Sequence, residues 1–145
     1  MTVIASFSGG RSSAMMVSQI DLSDALIIFC NTGKEMPETL DFVRDCEKHW
    51  GVPIIWLEYA GKKQYKVVNY DTASRNGEPF EQLISDKNYL PNMVARFCTS
   101  ELKVLTIERY LKEAKLPTGK LVILQSNNYF DIPEHVNCVQ DINQF

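Results

Sequence analysis

The feature that most constrains this chain is a set of three short, mostly apolar runs with little polar alternation. They cover residues 2–7 (Thr-Val-Ile-Ala-Ser-Phe), 24–30 (ending Leu26-Ile27-Ile28-Phe29-Cys30) and 52–57. A half-exposed strand alternates apolar and polar residues, whereas a strand buried on both faces does not. Continuous runs of this length therefore suit a parallel sheet covered by helices. The intervening segments fit that scheme. Ala14 to Ile20 reads as a helix. In the next, Pro37 suits the first turn, Glu35 and Glu38 suit its positive end, and Gly51 stops it. Met36, Leu40, Val43 and Trp50 are expected near one face of that helix. The order β-α-β-α-β calls for right-handed crossovers. It predicts an α/β fold of three layers: a twisted parallel sheet flanked by helices, Rossmann-like in kind.

The remainder is less regular. Residues 60–95 contain Gly61, Gly77, Pro79 and Pro91 among many polar residues, which predicts a long excursion with a short helix near 80–84. Ser100 is placed to cap a helix over 101–114, with Val104, Ile107, Leu111 and Ala114 on its inner face. Residues 120–124 read as a fourth strand. Residues 125–145 contain no lysine or arginine, although the chain has 15 such residues. They form an atypical C-terminal tail, whose Tyr129, Phe130, Ile132 and Phe145 are candidates for a partner surface. The 145 residues suit one domain.

Charge and composition remove several classes. A net charge of −3 gives no electrostatic case for nucleic acid or an anionic membrane. No segment approaches the length of a membrane-spanning helix, and Met1–Phe7 lacks a signal-peptide pattern, so a cytoplasmic location is expected. Cys30, Cys46, Cys98 and Cys138 are widely spaced with no CxxC pair. They are expected as free thiols, with neither a zinc site nor an iron–sulfur cluster.

The chemistry concentrates at Ser8-Gly9-Gly10-Arg11-Ser12-Ser13, between a strand and a helix. Glycines let backbone approach a phosphate, hydroxyls add donors, and the helix start supplies free N–H groups and a positive dipole end. Arg11 adds a charged donor. The bland alternative is a tight turn with a serine cap. The GxxxxGK[ST] spacing of a Walker A loop is absent.

This segment resembles the PP-loop, SGGxDS, of the adenine nucleotide alpha-hydrolase superfamily, which includes ATP pyrophosphatases and phosphoadenosine phosphosulfate (PAPS) reductases. Three further stretches resemble the PAPS reductase-like branch, in its phage and bacterial forms. They are Phe29-Cys30-Asn31-Thr32-Gly33-Lys34-Glu35, Ala73-Ser74-Arg75-Asn76-Gly77-Glu78-Pro79-Phe80 and Arg96-Phe97-Cys98-Thr99-Ser100-Glu101-Leu102-Lys103. The resemblance implies a PP-loop nucleotide-binding domain over 1–124. Ser8, Gly9, Gly10, Arg11, Ser12 and Ser13 would then bind phosphate, and Asn31, Thr32 and Gly33 would face adenosine. Arg96 and Lys103 would hold an anionic substrate, with Cys98 a doubtful catalytic candidate. The ligand would be ATP, accompanied by magnesium, or PAPS.

The chain also departs from that pattern. Ser12 stands where the PP-loop aspartate is usual, and Leu124 is followed by Gln125-Ser126-Asn127-Asn128 rather than a Gly-x-Arg segment. There is no ECGLH-type segment, and Glu134-His135-Val136-Asn137-Cys138 matches it poorly, so Cys138 is read as structural or incidental. The reading is thus an adenine-nucleotide-binding, PAPS reductase-like protein acting on a sulfonucleotide or on the α-phosphate of ATP. As an enzyme it would be a reductase served by a thiol-donor protein, or an ATP pyrophosphatase-type transferase. The alternative is a non-catalytic nucleotide- or partner-binding module, for which homo-oligomerisation is one way to complete a site. Lys62, Lys63 and Lys66 around Tyr65 read as either a solvated face or a nucleic-acid contact. Trp50, Trp56 and Tyr59 read as core or rim aromatics, Cys30 and Cys46 as core, and His49 as surface.

Overall fold

Parallel strands cannot be joined by tight turns, so each apolar run must return to the same edge through a helix. The structure, a computed structural model describing residues 3–90, 100–114 and 122–124, does this twice in succession. Strand β1 (Val3–Phe7) leads to helix α1 (Arg11–Ser18), β2 (Ala25–Asn31), α2 (Pro37–Trp50) and β3 (Ile54–Tyr59). Then come β4 (Tyr65–Val68), α3 (Glu78–Lys87), a π-helical turn (Ser100–Val104), α4 (Leu105–Glu113) and β5 (Val122–Leu124).

The sheet order is β4-β3-β2-β1-β5. β1 pairs in parallel with both β2 and β5, and β2 pairs in parallel with β3. The chain therefore moves outward from β1 on one side and returns on its other side. The carboxyl end of β1 is the point where strand order reverses, the usual position of ligands in open α/β sheets.

One face of the sheet packs Ala5, Phe7, Ile27, Phe29, Ile54 and Trp56 against Met16 and Val17 of α1 and Leu40, Val43 and Cys46 of α2. Edge-on ring contacts tie this layer together, Phe7 to Trp50 at 5.4 Å and Phe29 to Trp56 at 5.0 Å between centroids. The opposite face packs Ile4, Ile28, Cys30 and Leu57 against Ile107 of α4. Beside it, Tyr59 packs with Leu83 of α3 and Leu102 of the π-turn. The three-layer α/β architecture is as the sequence predicts.

Several local expectations are corrected. β4 is an antiparallel edge strand that the sequence reading assigned to irregular structure. Its Tyr65-Lys66-Val67-Val68 is an exposed or half-buried edge and carries no continuous apolar run. The helix expected near 80–84 is longer, because it begins at Glu78 with Pro79 in its first turn. Met36 lies just before α2 and is 66% exposed; Cys46 takes its place in the core. In the 101–114 region the buried residues are Leu102, Thr106 and Ile107, while Ala114 is exposed. Ile107 is buried on the inner face as expected and Leu111 packs against the same cluster, while the π-turn, with its extra residue per turn, adds Leu102 and Thr106 to the buried set and leaves Val104 half-buried. Ser100 is the first residue of that turn rather than a cap before a helix. Among the described residues, no helix is long and apolar enough to cross a membrane. Residues 125–145, with His135 and Cys138, lie outside the described residues.

Candidate functional site

β1 ends at Phe7, and the chain turns directly onto α2. Gly9 makes this close approach possible: a Cβ there would lie 2.8 Å from Thr39 Cγ2 and 3.2 Å from Val43 Cγ2. Ser13 then closes the loop from inside. Its Oγ accepts from Ser8 N at 3.1 Å and from Ser8 Oγ at 2.9 Å, and donates to the Gly10 carbonyl at 3.4 Å. Ser13 is fully buried. Its hydroxyl is thus committed to the loop's shape, while Ser8, Arg11 and Ser12 are exposed.

Gly10 precedes α1 in an extended conformation, with no side-chain cap on the helix. The first intrahelical bond runs from Ala14 N to Gly10 O at 3.0 Å. The amides of Arg11, Ser12 and Ser13 therefore sit at the open end of the helix, where backbone donors have no intrahelical partner. The first turn holds no acidic residue, so nothing on the helix itself neutralises its positive end. The outer side of Gly10 is open, since the nearest atom to a Cβ there is Ser8 Oγ at 3.5 Å.

The loop after β2 is built differently. Asn31 is fully buried and uses its whole amide. Its Nδ2 donates to Glu58 Oε1 and to the Ser74 carbonyl, both at 2.8 Å, and its Oδ1 accepts from Gly33 N at 3.1 Å. Thr32 Oγ1 donates to Glu35 Oε1 at 3.2 Å and accepts from Lys34 N at 3.2 Å. Gly33 abuts Gly77, and Lys34 crosses Gly77 to pair with Glu81 at 3.7 Å. What segment 31–35 presents outward is therefore the exposed Lys34 and the half-buried Thr32 and Glu35, with the Asn31 side chain turned inward.

Glu58, which sequence reasoning passed over, is the hub of this region. It is completely buried at the carboxyl end of β3. It accepts from Asn31 Nδ2, from Ser74 N at 2.6 Å and from Ser74 Oγ at 2.8 Å, and pairs with Lys66 Nζ at 3.3 Å. A carboxylate in a buried strand is costly unless paired and hydrogen-bonded, which is the signal that would have singled it out. Lys66 is thus tied to a buried carboxylate rather than merely solvated. Arg75 is likewise occupied, donating to the carbonyls of Ala73 at 2.8 Å and Tyr70 at 2.5 Å.

Lys103 lies on the π-turn, and its carbonyl accepts from Cys30 Sγ at 3.8 Å. This docks the turn on the last residues of β2, at the same end of the sheet as the two loops. Arg96 and Cys98 lie outside the described residues. Burial pushes the Cys30 thiol from an ordinary 9.0 up to about 12, against a smaller opposing effect of Lys103. Burial also raises Cys46, with a further contribution from Asp45. Cys30 should therefore resist iodoacetamide at pH 8 in the native protein and react once it is unfolded, as read by peptide mass mapping. Native-state labelling of Cys30 at the rate of a free thiol would contradict this burial.

The structure thus brings Ser8–Ser13 and Asn31–Gly33 to the carboxyl edge of neighbouring strands, with Lys103 on a turn against β2. The chain is 28% identical over 124 residues to the uncharacterized nin region protein ORF290 of Escherichia phage lambda, covering 76% of this chain and 42% of the phage protein. It is 27% identical over 112 residues to the uncharacterized protein MJ0973 of Methanocaldococcus jannaschii, covering 76% of this chain and 23% of the archaeal protein. The chain thus spans less than half the length of these relatives. Residues 2–119 match the phosphoadenosine phosphosulfate reductase domain, and the chain belongs to that family.

Proposed function

We propose that this chain binds an adenine nucleotide, with phosphates seated on the Ser8–Ser12 backbone and the nucleoside directed toward segment 31–33. The observation that carries this reading is the loop at the carboxyl end of β1. It lies where strand order reverses, leads into a helix with no acidic residue in its first turn, and leaves Gly10 open on its outer side. Backbone donors of this kind favour anions and need no cationic side chain to do so. Arg11, exposed at the helix start, adds a charged donor within reach of an incoming phosphate.

The ligand is a sulfonucleotide such as PAPS or an ATP whose α-phosphate is the reacting centre. Reduction of a sulfonucleotide needs a thiolate, and buried Cys30 and Cys46 are poorly suited to supply one. A thiolate would then come from Cys98, which lies outside the described residues, from elsewhere in a larger protein or from a partner. In the ATP reading, magnesium would be held chiefly by phosphate oxygens. Among the described residues, no group of three His, Cys, Asp or Glu side chains is arranged to hold a metal.

Calorimetric titration with ATP and magnesium, PAPS, and adenosine 3′,5′-bisphosphate in parallel tests the proposal. Saturable binding of at least one ligand, competed by the others, is the expected result. PAPS preferred over ATP would direct assays to sulfite release, and the reverse preference to pyrophosphate release. Binding of none of the three would overturn the reading.

A further inference from the structure

The register of the sheet places three polar residues side by side across three strands. Asn31 of β2 pairs with Glu58 of β3, and Glu58 pairs with Lys66 of β4. Their side chains make a continuous row: Lys66 Nζ to Glu58 Oε2 at 3.3 Å, and Asn31 Nδ2 to Glu58 Oε1 at 2.8 Å. From each end of Glu58 the row reaches loop backbone. Through Asn31 Oδ1 it holds the amide of Gly33, and directly it holds the amide and hydroxyl of Ser74. The segments carrying Gly33 and Ser74 then meet at Gly33 and Gly77, with no room for a Cβ at Gly33.

We propose that Glu58 and Lys66 are positioning residues for the nucleoside end of the site. They hold segments 31–35 and 73–79 in one arrangement, so that the edge strand β4 sets how the adenosine is received. This rests on the nucleotide-binding reading above. The phosphate end is independent of the row, because the Ser8–Ser13 loop is closed by its own Ser13 hydroxyl and packs on α2. Removing the row should therefore separate two affinities that a general loss of stability would lower together.

Two variants are read together, because Lys66→Met leaves the buried Glu58 carboxylate without its cation whereas Glu58→Gln removes that buried charge. Lys66→Met removes the cation from a side chain that is 52% exposed, keeping its stem. Glu58→Gln keeps the shape of the buried side chain. Its amide oxygen can still accept from Asn31 and Ser74 N, the Ser74 hydroxyl can turn to donate elsewhere, and only Lys66 is left facing a donor. The full chain is titrated with ATP and with inorganic tripolyphosphate, and amide exchange at Gly33 and Ser74 is followed by hydrogen–deuterium exchange. Each variant should weaken ATP about tenfold, a size usual for coupled neighbours, while tripolyphosphate changes by less than about twofold. Exchange at Gly33 and Ser74 should rise in both variants while that of β1 does not, because a neutral amide oxygen holds the same donors more weakly than the carboxylate and a carboxylate without its cation is held less firmly in place.

Equal losses for ATP and tripolyphosphate would overturn the proposal, as would unchanged exchange at Gly33 and Ser74. Faster exchange with unchanged ATP affinity would make the row a structural feature alone. A wild-type chain that binds neither ligand would fail at the nucleotide reading. The exchange data would then still decide whether the row orders the two loops.

Discussion

Gly10→Asp should leave the protein as stable as before, or slightly more so, and abolish nucleotide binding. Gly10 is extended, and a Cβ there meets nothing closer than Ser8 Oγ at 3.5 Å, so the backbone accepts any L-residue. It is also the residue that precedes α1, where no side chain caps the helix. Aspartate is among the best residues at that position, and its gain over glycine is a few tenths of a kcal/mol. The carboxylate that caps the helix occupies the amides a phosphate would use and places negative charge beside it. Like charges forced together cost several kcal/mol, so affinity should fall by about a hundredfold or more. Thermal melting and calorimetry on the same sample give both quantities. Gly10→Ala, which adds the Cβ without the charge, should keep most of the affinity. Retained affinity in Gly10→Asp would sink the phosphate-loop assignment, and a lowered melting temperature would mean that Gly10 serves the fold.

Gly33→Ala should be among the most destabilising single changes available outside the hydrophobic core. Its Cβ would lie 2.8 Å from Gly77 Cα and 2.9 Å from Pro79 Cδ. One is backbone and the other a proline ring, so neither can rotate aside. Gly33 also has φ of +80°, where an L-side chain adds about 1–2 kcal/mol. With roughly 1–3 kcal/mol for overpacking, the expected loss is about 3 kcal/mol, or a fall of about 10 °C in melting temperature. Gly51→Ala is the control. It shares a positive φ, at +65°, but a Cβ there meets nothing within 4 Å. It should show the conformational part of the loss without the steric part. Equal melting temperatures for the two variants would mean that the 31–35 and 73–79 segments are not held against each other.

The two glycines illustrate how much of the site was legible in advance. Residues 8–13 could be read because their chemistry is local. Glycines and hydroxyls between an apolar run and a helix imply free amides wherever the sheet lies. Asn31, Thr32 and Gly33 could be placed only at the end of a strand, and the motif suggested a side chain facing the ligand. In the fold the Asn31 amide faces inward, because Glu58 and the Ser74 carbonyl take both of its protons. Glu58 and Lys66 had no sequence signature linking them to Asn31. They lie 27 and 35 residues further along the chain, and only strand register makes them neighbours.

The sequence by itself determined the layering, the parallel pairing and the position of the Ser8–Ser13 turn between β1 and α1. Apolar continuity and helix punctuation are properties of consecutive residues, and burial on both faces follows from them. Only the tertiary structure added Leu102 and Thr106 to the buried face of the 101–114 region, since a π-turn displaces the helical period by an amount no periodicity reveals. It alone decided that β4 forms an edge strand, because a half-exposed strand is stabilised by the partner it pairs with rather than by its own composition. It alone assembled Asn31, Glu58 and Lys66 into one row, because a buried carboxylate must find its donors wherever the chain brings them.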